Sequence, residues 1–457
     1  MPDNLKILLI NAINPGVEVE SRYPGLGLGY LAASARKYLP NVKIQFRIAY
    51  RNIPRITKEF RPSLVGISSV SQNYNIAKNY ADFFSRLKIP VMMGGIHITA
   101  LPDCLPETVS AACIGEGETT FVRLIKAYLE NQFNEEGLAK IPGIAYWDNG
   151  VIHKNEANTG IIDPDTLPFP ARDLFHIHPH TYMFSSRGCP YRCNFCASSR
   201  FWNTLRFFSA EYVVDEIELL YRNYQVTMIS FFDDLFAANE RRLEAIIRIL
   251  EKRRLLKKIK FTCSCRANTI KPELVELLSQ MGVVSVGMGL ESADEATLHY
   301  LKGNNIHTSD NESAIALLKK YNIAVNASFI IGSPYETRDQ IMRTYHFIIK
   351  SKLDLFDIYL LTPYPGTPIW EYALKRGLVE NDMQDWSRLD VNVYRNPGKA
   401  VILSEVLHRE EILKYYKKFR FLRLRRNLLK VLNHPMKQDI PKMALALLKE
   451  KFSSYYI

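Results

Sequence analysis

Apolar and polar positions alternate in two long series along this chain, and each series predicts an α/β unit. Over residues 1–155 the apolar runs KILLINA (6–12), VKIQFRIAY (42–50), SLVGISS (63–69), IPVMMGG (89–95) and SAACIG (110–115) are separated by stretches of helical spacing, such as GYLAASARKYL (29–39). That alternation is the mark of an open parallel sheet wrapped by helices, which binds ligands at the carboxyl ends of its strands. The loops at those ends, residues 11–23, residues 68–73, Gly94-Gly95-Ile96-His97 and Gly115-Glu116-Gly117-Glu118, are rich in glycine and small polar residues. They suit a large planar cofactor. The run Gly25-Leu26-Gly27-Leu28-Gly29 lacks the G-x-G-x-x-G spacing of a dinucleotide site and reads as close packing at a helix start.

A Pro-rich stretch, Asp163-Pro164 through Pro168-Phe169-Pro170, marks residues 156–180 as a linker. The second series follows over residues 181–380. Its strands are TYMFSS (181–186), TMISFFD (227–233), IKFTCSC (259–265), VVSVGMG (283–289), AVNASFII (324–331) and DIYLLT (357–362), with helices between them. Six strand-helix units predict a partial (β/α)6 barrel of the TIM type, with chemistry on the loops that follow the strands. Residues 381–457 are helical, basic and aromatic in pattern, as in KYYKKFRFLRLRRNLLKVL (414–432), and form a cap or a substrate region. The fold class is α/β: a Rossmann-like N-terminal domain, a central partial barrel and a C-terminal helical region.

Composition refines this picture at four points. A chain of 457 residues, 47% hydrophobic with both charge signs interspersed, is a globular protein of two or three domains. The net charge of +12 suggests nucleic acid until it is located: thirteen Lys and Arg stand against four acids over residues 407–452, so nine of the twelve excess charges sit there. That segment fits a helical cap with a basic outer face, a peripheral contact with an anionic membrane near a lipid-like substrate, or a grip on RNA phosphates; nucleic acid is the least expected of the three. No uncharged apolar run is long enough to span a bilayer. Seven cysteines without a secretory signal point to a reducing, cytoplasmic setting, with membrane association left open.

The chemistry concentrates in one loop, SSRGCPYRCNFC (185–196), where Cys189, Cys193 and Cys196 form a C-x3-C-x2-C triplet. Three thiolates on one short loop wrap a [4Fe-4S] cluster and leave its fourth iron without a protein ligand. Structural zinc asks for four ligands, and the other close pair, Cys263 and Cys265, is C-x-C spaced on one face of a strand. That pair fits small core residues, or groups near a substrate if the face is the barrel lumen. His176, His178 and His180 alternate in FHIHPH without an acidic or cysteine partner nearby.

The triplet, Phe195 before its third cysteine, Phe232-Asp233-Asp234-Leu235-Phe236, Gly289-Leu290-Glu291-Ser292, Gly332-Ser333-Pro334-Tyr335-Glu336-Thr337 and Thr362-Pro363-Tyr364-Pro365-Gly366-Thr367-Pro368 follow successive strands in order. Together they resemble the radical S-adenosylmethionine (SAM) superfamily, in its subgroup with an N-terminal cobalamin-binding domain, over about residues 5–375. The resemblance implies that SAM chelates the open iron and is reductively cleaved to a 5′-deoxyadenosyl radical, with a flavodoxin- or ferredoxin-type protein as electron donor. It implies SAM contacts from Phe195, from Asp233 or Asp234 in place of the family's Gly-Gly-Glu, from Glu291 and Ser292 at the ribose, and from Arg266 at the methionyl carboxylate. An ion-pair network at the barrel rim is the alternative role for Asp233, Glu291 and Arg266. Cobalamin contacts fall on Gly94, Gly95, His97 and Glu116. The Asp-x-His-x-x-Gly of a lower axial histidine is absent from residues 11–23, so cobalamin is expected without a histidine lower ligand, and His97 is expected to order its loop or touch the corrin. The implied activity is methylation of an unactivated carbon in a small-molecule, apolar or membrane-derived substrate. A cyclase, ring-rearranging or coupling enzyme is the alternative, and a noncatalytic corrinoid or redox sensor the remote one. No individual catalytic residue is assigned.

Overall fold

A computed structural model describes residues 4–14, 24–157, 162–202, 204–391, 393 and 397–431. It contains two compact units, Met1–His176 with Val379–Leu389, and Ile177–Leu378 with Asp390–Ile457.

The first unit is built on a seven-stranded sheet ordered β2-β1-β3-β4-β5-β6-β7. The strands are β1 (Leu5–Ala12), β2 (Ile44–Ala49), β3 (Leu64–Ser69), β4 (Val91–Gly94), β5 (Ala111–Cys113), β6 (Ile144–Asp148) and β7 (Val151–Lys154). The first five run parallel, and β1 is central, pairing with β2 and β3. Helices cover both faces, so β1 reads as an almost unbroken apolar run, with Leu5, Ile7, Leu8, Leu9 and Ile10 fully buried. The purely parallel expectation needs one correction: β6 and β7 are antiparallel. They form a hairpin whose turn residues Asn149 and Gly150 are both left-handed, the backbone a tight two-residue turn requires.

The Pro-rich stretch is not a free tether at its C-terminal end. Asp173 accepts both guanidinium N–H groups of Arg36 at 2.9 and 3.0 Å, from the helix Leu26–Tyr38. The segment Val379–Leu389, read from sequence as the end of the barrel and, from residue 381, the start of the C-terminal region, belongs to this first unit. Its Trp386 is fully buried against Tyr74 and His97, and the Asn75 side chain bonds the backbone of Gln384 and Trp386 at 2.8 Å each.

The second unit has six parallel strands ordered β15-β14-β13-β12-β11-β8, with β8 (His180–Met183) and β15 (Leu355–Leu360) at its edges. Before β11 (Met228–Phe231) comes a two-residue antiparallel ladder, β9 (Ser186–Arg187) with β10 (Arg206–Phe207). β12 (Lys260–Cys265), β13 (Val283–Glu291) and β14 (Ala324–Ile331) complete the sheet, so each apolar run of the second series is a strand.

The two faces of this sheet differ. Phe261, Cys263 and Cys265 alternate on the buried face, which makes the cysteine pair part of the core. On the other face His180, Ser230, Thr262 and Asn326 are half-exposed: His180 bonds Ser230 at 2.8 Å, Ser230 bonds Thr262 at 2.6 Å, and Asn326 bonds the buried Ser285 at 3.0 Å. His180 is thus committed to this polar row.

The helix Arg409–Val431 buries Ile412, Tyr416 and Phe419 against the unit. Its Asn427 amide accepts from Phe356 N–H at 3.3 Å and donates to Phe356 carbonyl at 3.1 Å, satisfying edge groups of β15 that would otherwise invite another strand. Arg426 donates to the carbonyls of Ser351 and Leu353, and Arg423 pairs with Asp357 at 2.6 Å. Part of the basic charge is therefore structural. Among the described residues no helix is long and apolar enough to cross a membrane.

Candidate functional site

The cysteine loop begins with a bend that only glycine allows. Gly188 has φ +90°, and a Cβ there would stand 2.4 Å from the Thr204 carbonyl. The loop is then tied to two helices through Asn194: its N–H donates to Leu301 carbonyl at 2.9 Å, its amide to Tyr300 carbonyl at 2.5 Å, and its carbonyl accepts from Ile369 N–H at 3.4 Å. Phe195 is half-buried beside it.

Cys189, Cys193 and Cys196 are unpaired and half-exposed. Burial pushes the thiols of Cys189 and Cys196 up, while Tyr191 and Ser199 hydrogen bonds toward their sulfurs pull them down. Three free thiols on one loop, met by N–H donors, match the donor chemistry of an iron–sulfur cluster, whose sulfurs are tuned by such bonds.

Arg266 is the loop's main brace and is 4% exposed. Its guanidinium lies 3.9 Å from the Tyr191 ring centroid and donates to Cys193 Sγ at 3.5 Å, Asn305 Oδ1 at 3.0 Å, Lys302 carbonyl at 3.2 Å and, through Nε, Asn268 Oδ1 at 3.1 Å. With four of its five donors committed, it clamps the loop more than it offers an open fork to a carboxylate. Changing Arg266 to Met should lower the reduction potential of a cluster held here, because a cation and an N–H···S bond that favour the more negative, reduced form are lost. An EPR-monitored redox titration reads this directly, and Arg266→Lys should recover little, since one ammonium cannot reach four acceptors.

The two aspartates after β11 divide sharply. Asp233 is buried; its Oδ1 accepts from the N–H groups of Ser185 and Ser186 at 2.7 and 3.2 Å, and its Oδ2 from the Ser185 hydroxyl at 2.5 Å. Burial raises its carboxyl, opposed by those same bonds. Asp234 is exposed, bonds the Ser198 hydroxyl at 2.7 and 2.8 Å, and lies close enough to act electrostatically on Cys189 and Cys196. Its carboxyl is also raised by desolvation.

Glu291 ends β13 at φ +59°, where the β13–β14 register slips. A non-glycine residue in the left-handed region is backbone strain, and strain collects at functional sites. Its carboxyl is raised by burial, opposed by Lys302, whose ammonium is 3.5 Å away and also donates to Gly289 carbonyl. Ser292 turns away: it is fully buried, with its hydroxyl against Thr344 at 3.2 Å and Asp294 N–H at 3.1 Å. Glu336 was legible only as part of its motif. It is 2% exposed, its Oε2 accepts from Gly332 and Ser333 N–H groups, its Oε1 has no hydrogen-bond partner, and burial pushes its carboxyl up to about 8.

In the first unit, Gly94 ends β4 and Gly95 follows it, and Gly95 has φ +104° with Ser69 carbonyl 2.5 Å from where a Cβ would stand. Gly95→Ala should therefore destabilise this unit by more than about 1 kcal/mol, checked as a fall in its thermal midpoint. His97 is fully buried, its Nδ1 bonded to Ser71 Oγ at 3.1 Å and its ring packed on Tyr74 and Trp386 at 3.8 and 4.3 Å between centroids. Burial, with Lys78 nearby, pushes it down to about 3. It stands in the core, tied to Ser71 and packed between Tyr74 and Trp386. Glu116 is half-exposed after Gly115, which has open space where a side chain would be. Small neutral residues at the ends of β3, β4 and β5, with Val70 exposed beside them, leave a surface on which a flat macrocycle can lie, so the residues present fit a corrinoid. Residues 15–23 of the loop after β1 lie outside the described residues.

Residues 183–348 match the family model of the radical SAM superfamily, and residues 15–125 match that of the B12 binding domain. An uncharacterized methyltransferase of Pyrococcus horikoshii is 31% identical over 398 residues, covering 82% of this chain and 85% of that protein. The anaerobic magnesium-protoporphyrin IX monomethyl ester cyclase of Cereibacter sphaeroides is 25% identical, covering 88% and 68%. Among solved structures, the radical SAM methyltransferase TsrM from Kitasatospora setae superposes with a TM-score of 0.69 at 17% identity, over 82% of this chain and 77% of that one, a likeness of fold.

Proposed function

This chain belongs to the radical SAM superfamily, in its branch with an N-terminal B12-binding domain, and from that premise we propose that it is a methyltransferase that modifies an unactivated carbon of a small molecule. The observation that carries the reading is the presence of both domains in one chain that is similar, over most of its length, to a protein named as a methyltransferase. When bound, the cluster supplies the electron for SAM cleavage and the corrinoid a carrier for the methyl group.

The chain's own residues then have distinct tasks. Cys189, Cys193 and Cys196 hold the cluster, while Asn194 and Arg266 fix the loop that presents it. Asp234 is the aspartate suited to accept from a cationic group, because Asp233 is spent on Ser185 and Ser186. Glu291, strained and paired with Lys302, supports a role at the ribose hydroxyls. The half-exposed side chains of His180, Ser230, Thr262 and Asn326 favour a substrate with hydrogen-bonding groups over an apolar, membrane-derived one. A flavodoxin- or ferredoxin-type protein is the fitting electron donor.

The test is anaerobic reconstitution of the full chain with iron, sulfide and hydroxocobalamin, followed by incubation with SAM and a reductant. Retained corrinoid, with both 5′-deoxyadenosine and S-adenosylhomocysteine released, is the expected result. Failure to retain corrinoid overturns the reading. Release of 5′-deoxyadenosine alone shifts it to the ring-forming alternative, which the cyclase relative favours.

A further inference from the structure

The helix Glu295–Lys302 anchors the cysteine loop with its last turn and carries a different donor set on its first. Glu295 and His299 are four residues apart and so share a face. His307, at the start of the helix Thr308–Lys320, reaches back to the same carboxylate. Glu295 Oε1 is 3.1 Å from His299 Nε2 and 2.5 Å from His307 Nδ1, and one ligand atom from each of the three lies within 4.8 Å of the others. The second oxygen, Oε2, accepts from the Thr308 N–H and hydroxyl, both at 2.9 Å, the kind of outer partner that orients a ligating carboxylate. Glu295 and His307 are open to solvent while the Nε2 of His299 is covered, so an ion enters from the Glu295 and His307 side and meets an imidazole nitrogen already turned inward.

We propose that Glu295, His299 and His307 form a site for one Zn2+, apart from the cysteine loop and not required by the methyl-transfer reading. Two imidazoles and a carboxylate, with water in a fourth position, suit zinc: nitrogen donors disfavour calcium and magnesium, and no thiolate belongs to the group. Zinc–ligand bonds of about 2.0–2.2 Å set tetrahedral ligand atoms roughly 3.4 Å apart, so His307 must withdraw from Glu295 by about 1 Å, a movement its exposed side chain allows. The ion would pin the first turn of a helix whose Tyr300, Leu301 and Lys302 carbonyls hold Asn194 and Arg266. Its role is positioning, remote from the reacting atoms.

The test uses the cluster-loaded full chain, in which the loop cysteines are occupied, titrated anaerobically with Co2+ as a spectroscopic substitute and then with Zn2+. One equivalent of Co2+ should bind with ligand-field bands of a nitrogen and oxygen site, without thiolate charge transfer, and Zn2+ should displace it. Losing an outer partner already costs about 10- to 100-fold in affinity, so His299→Asn with His307→Asn should weaken binding by at least about a hundredfold. Independently of any variant, Zn2+ should raise the unfolding midpoint of the wild type and chelation should reverse the rise. Absence of saturable Co2+ uptake, thiolate bands, uptake unchanged in the double variant, or a midpoint indifferent to Zn2+ would each overturn the proposal.

Discussion

Cys193→Ala is expected to reduce SAM cleavage to the background seen without enzyme, and to strip most of the iron and sulfide from the reconstituted protein. Two cysteines on a loop cannot retain a cluster that depends on three. The fold should survive, because Cys193 is half-exposed and the loop backbone is held by Asn194 through Leu301, Tyr300 and Ile369. Iron content, release of 5′-deoxyadenosine and a thermal melt separate the two effects; cleavage at the wild-type rate would remove the loop from the mechanism. Cys263→Ala supplies the contrast. That thiol is 4% exposed on the buried face of β12, so its loss should cost roughly 1–2 kcal/mol of stability and leave cleavage in place.

Acid should act on the first unit through His97. An unfolded histidine titrates at about 6.5, and burial pushes His97 down to about 3 in the fold. The folded state thus binds its proton later than the unfolded chain does. The stability contributed by the neutral ring is complete above about 6.5 and is lost progressively as pH falls toward 3. At about 1.4 kcal/mol per pH unit, the loss between pH 6.5 and 4 comes to about 3 kcal/mol. Carboxylates titrate over the same range, so the measurement is a difference: denaturant melts of the wild type and His97→Gln across that window. The wild type should lose stability more steeply, and parallel curves would refute the assignment.

What could be read in the sequence follows from how locally each feature is encoded. The strands were legible because each is a short apolar run between helical stretches, and the cluster loop because its three ligands are neighbours along the chain. Asn149-Gly150, between the alternating residues of β6 and β7, was a strong hairpin signal, eclipsed by the parallel pattern before it. Asp233 and Asp234 could not be told apart, since adjacent residues after a strand point in opposite directions and only the serines they meet decide which is spent. The partners of Arg266 were hidden for another reason: Cys193, Lys302 and Asn305 come from segments far from it in the chain, brought together by strand order. Lys302 gave no signal of its own, one lysine at the end of an amphipathic helix. The basic C-terminal segment read equally as a cap or as a surface for a partner; what the sequence could not show is that Arg423 is spent on Asp357 of β15 and Arg426 on the carbonyls of Ser351 and Leu353 just before it.

The return of Val379–Leu389 to the first unit has a practical corollary for anyone who divides this protein. A fragment ending at His176 retains all seven strands of its sheet yet lacks Trp386, and with it the ring against which His97 and Tyr74 are sealed. It also leaves the Asn75 amide and the Cys104 thiol without the main-chain groups of Gln384, Trp386 and Asn381 that they bond. Such a fragment is a split protein rather than a domain. The short peptide that spans residues 379–389 is its natural complement, and supplying it in trans, or grafting it to the fragment's end, is the route to a self-sufficient B12-binding module.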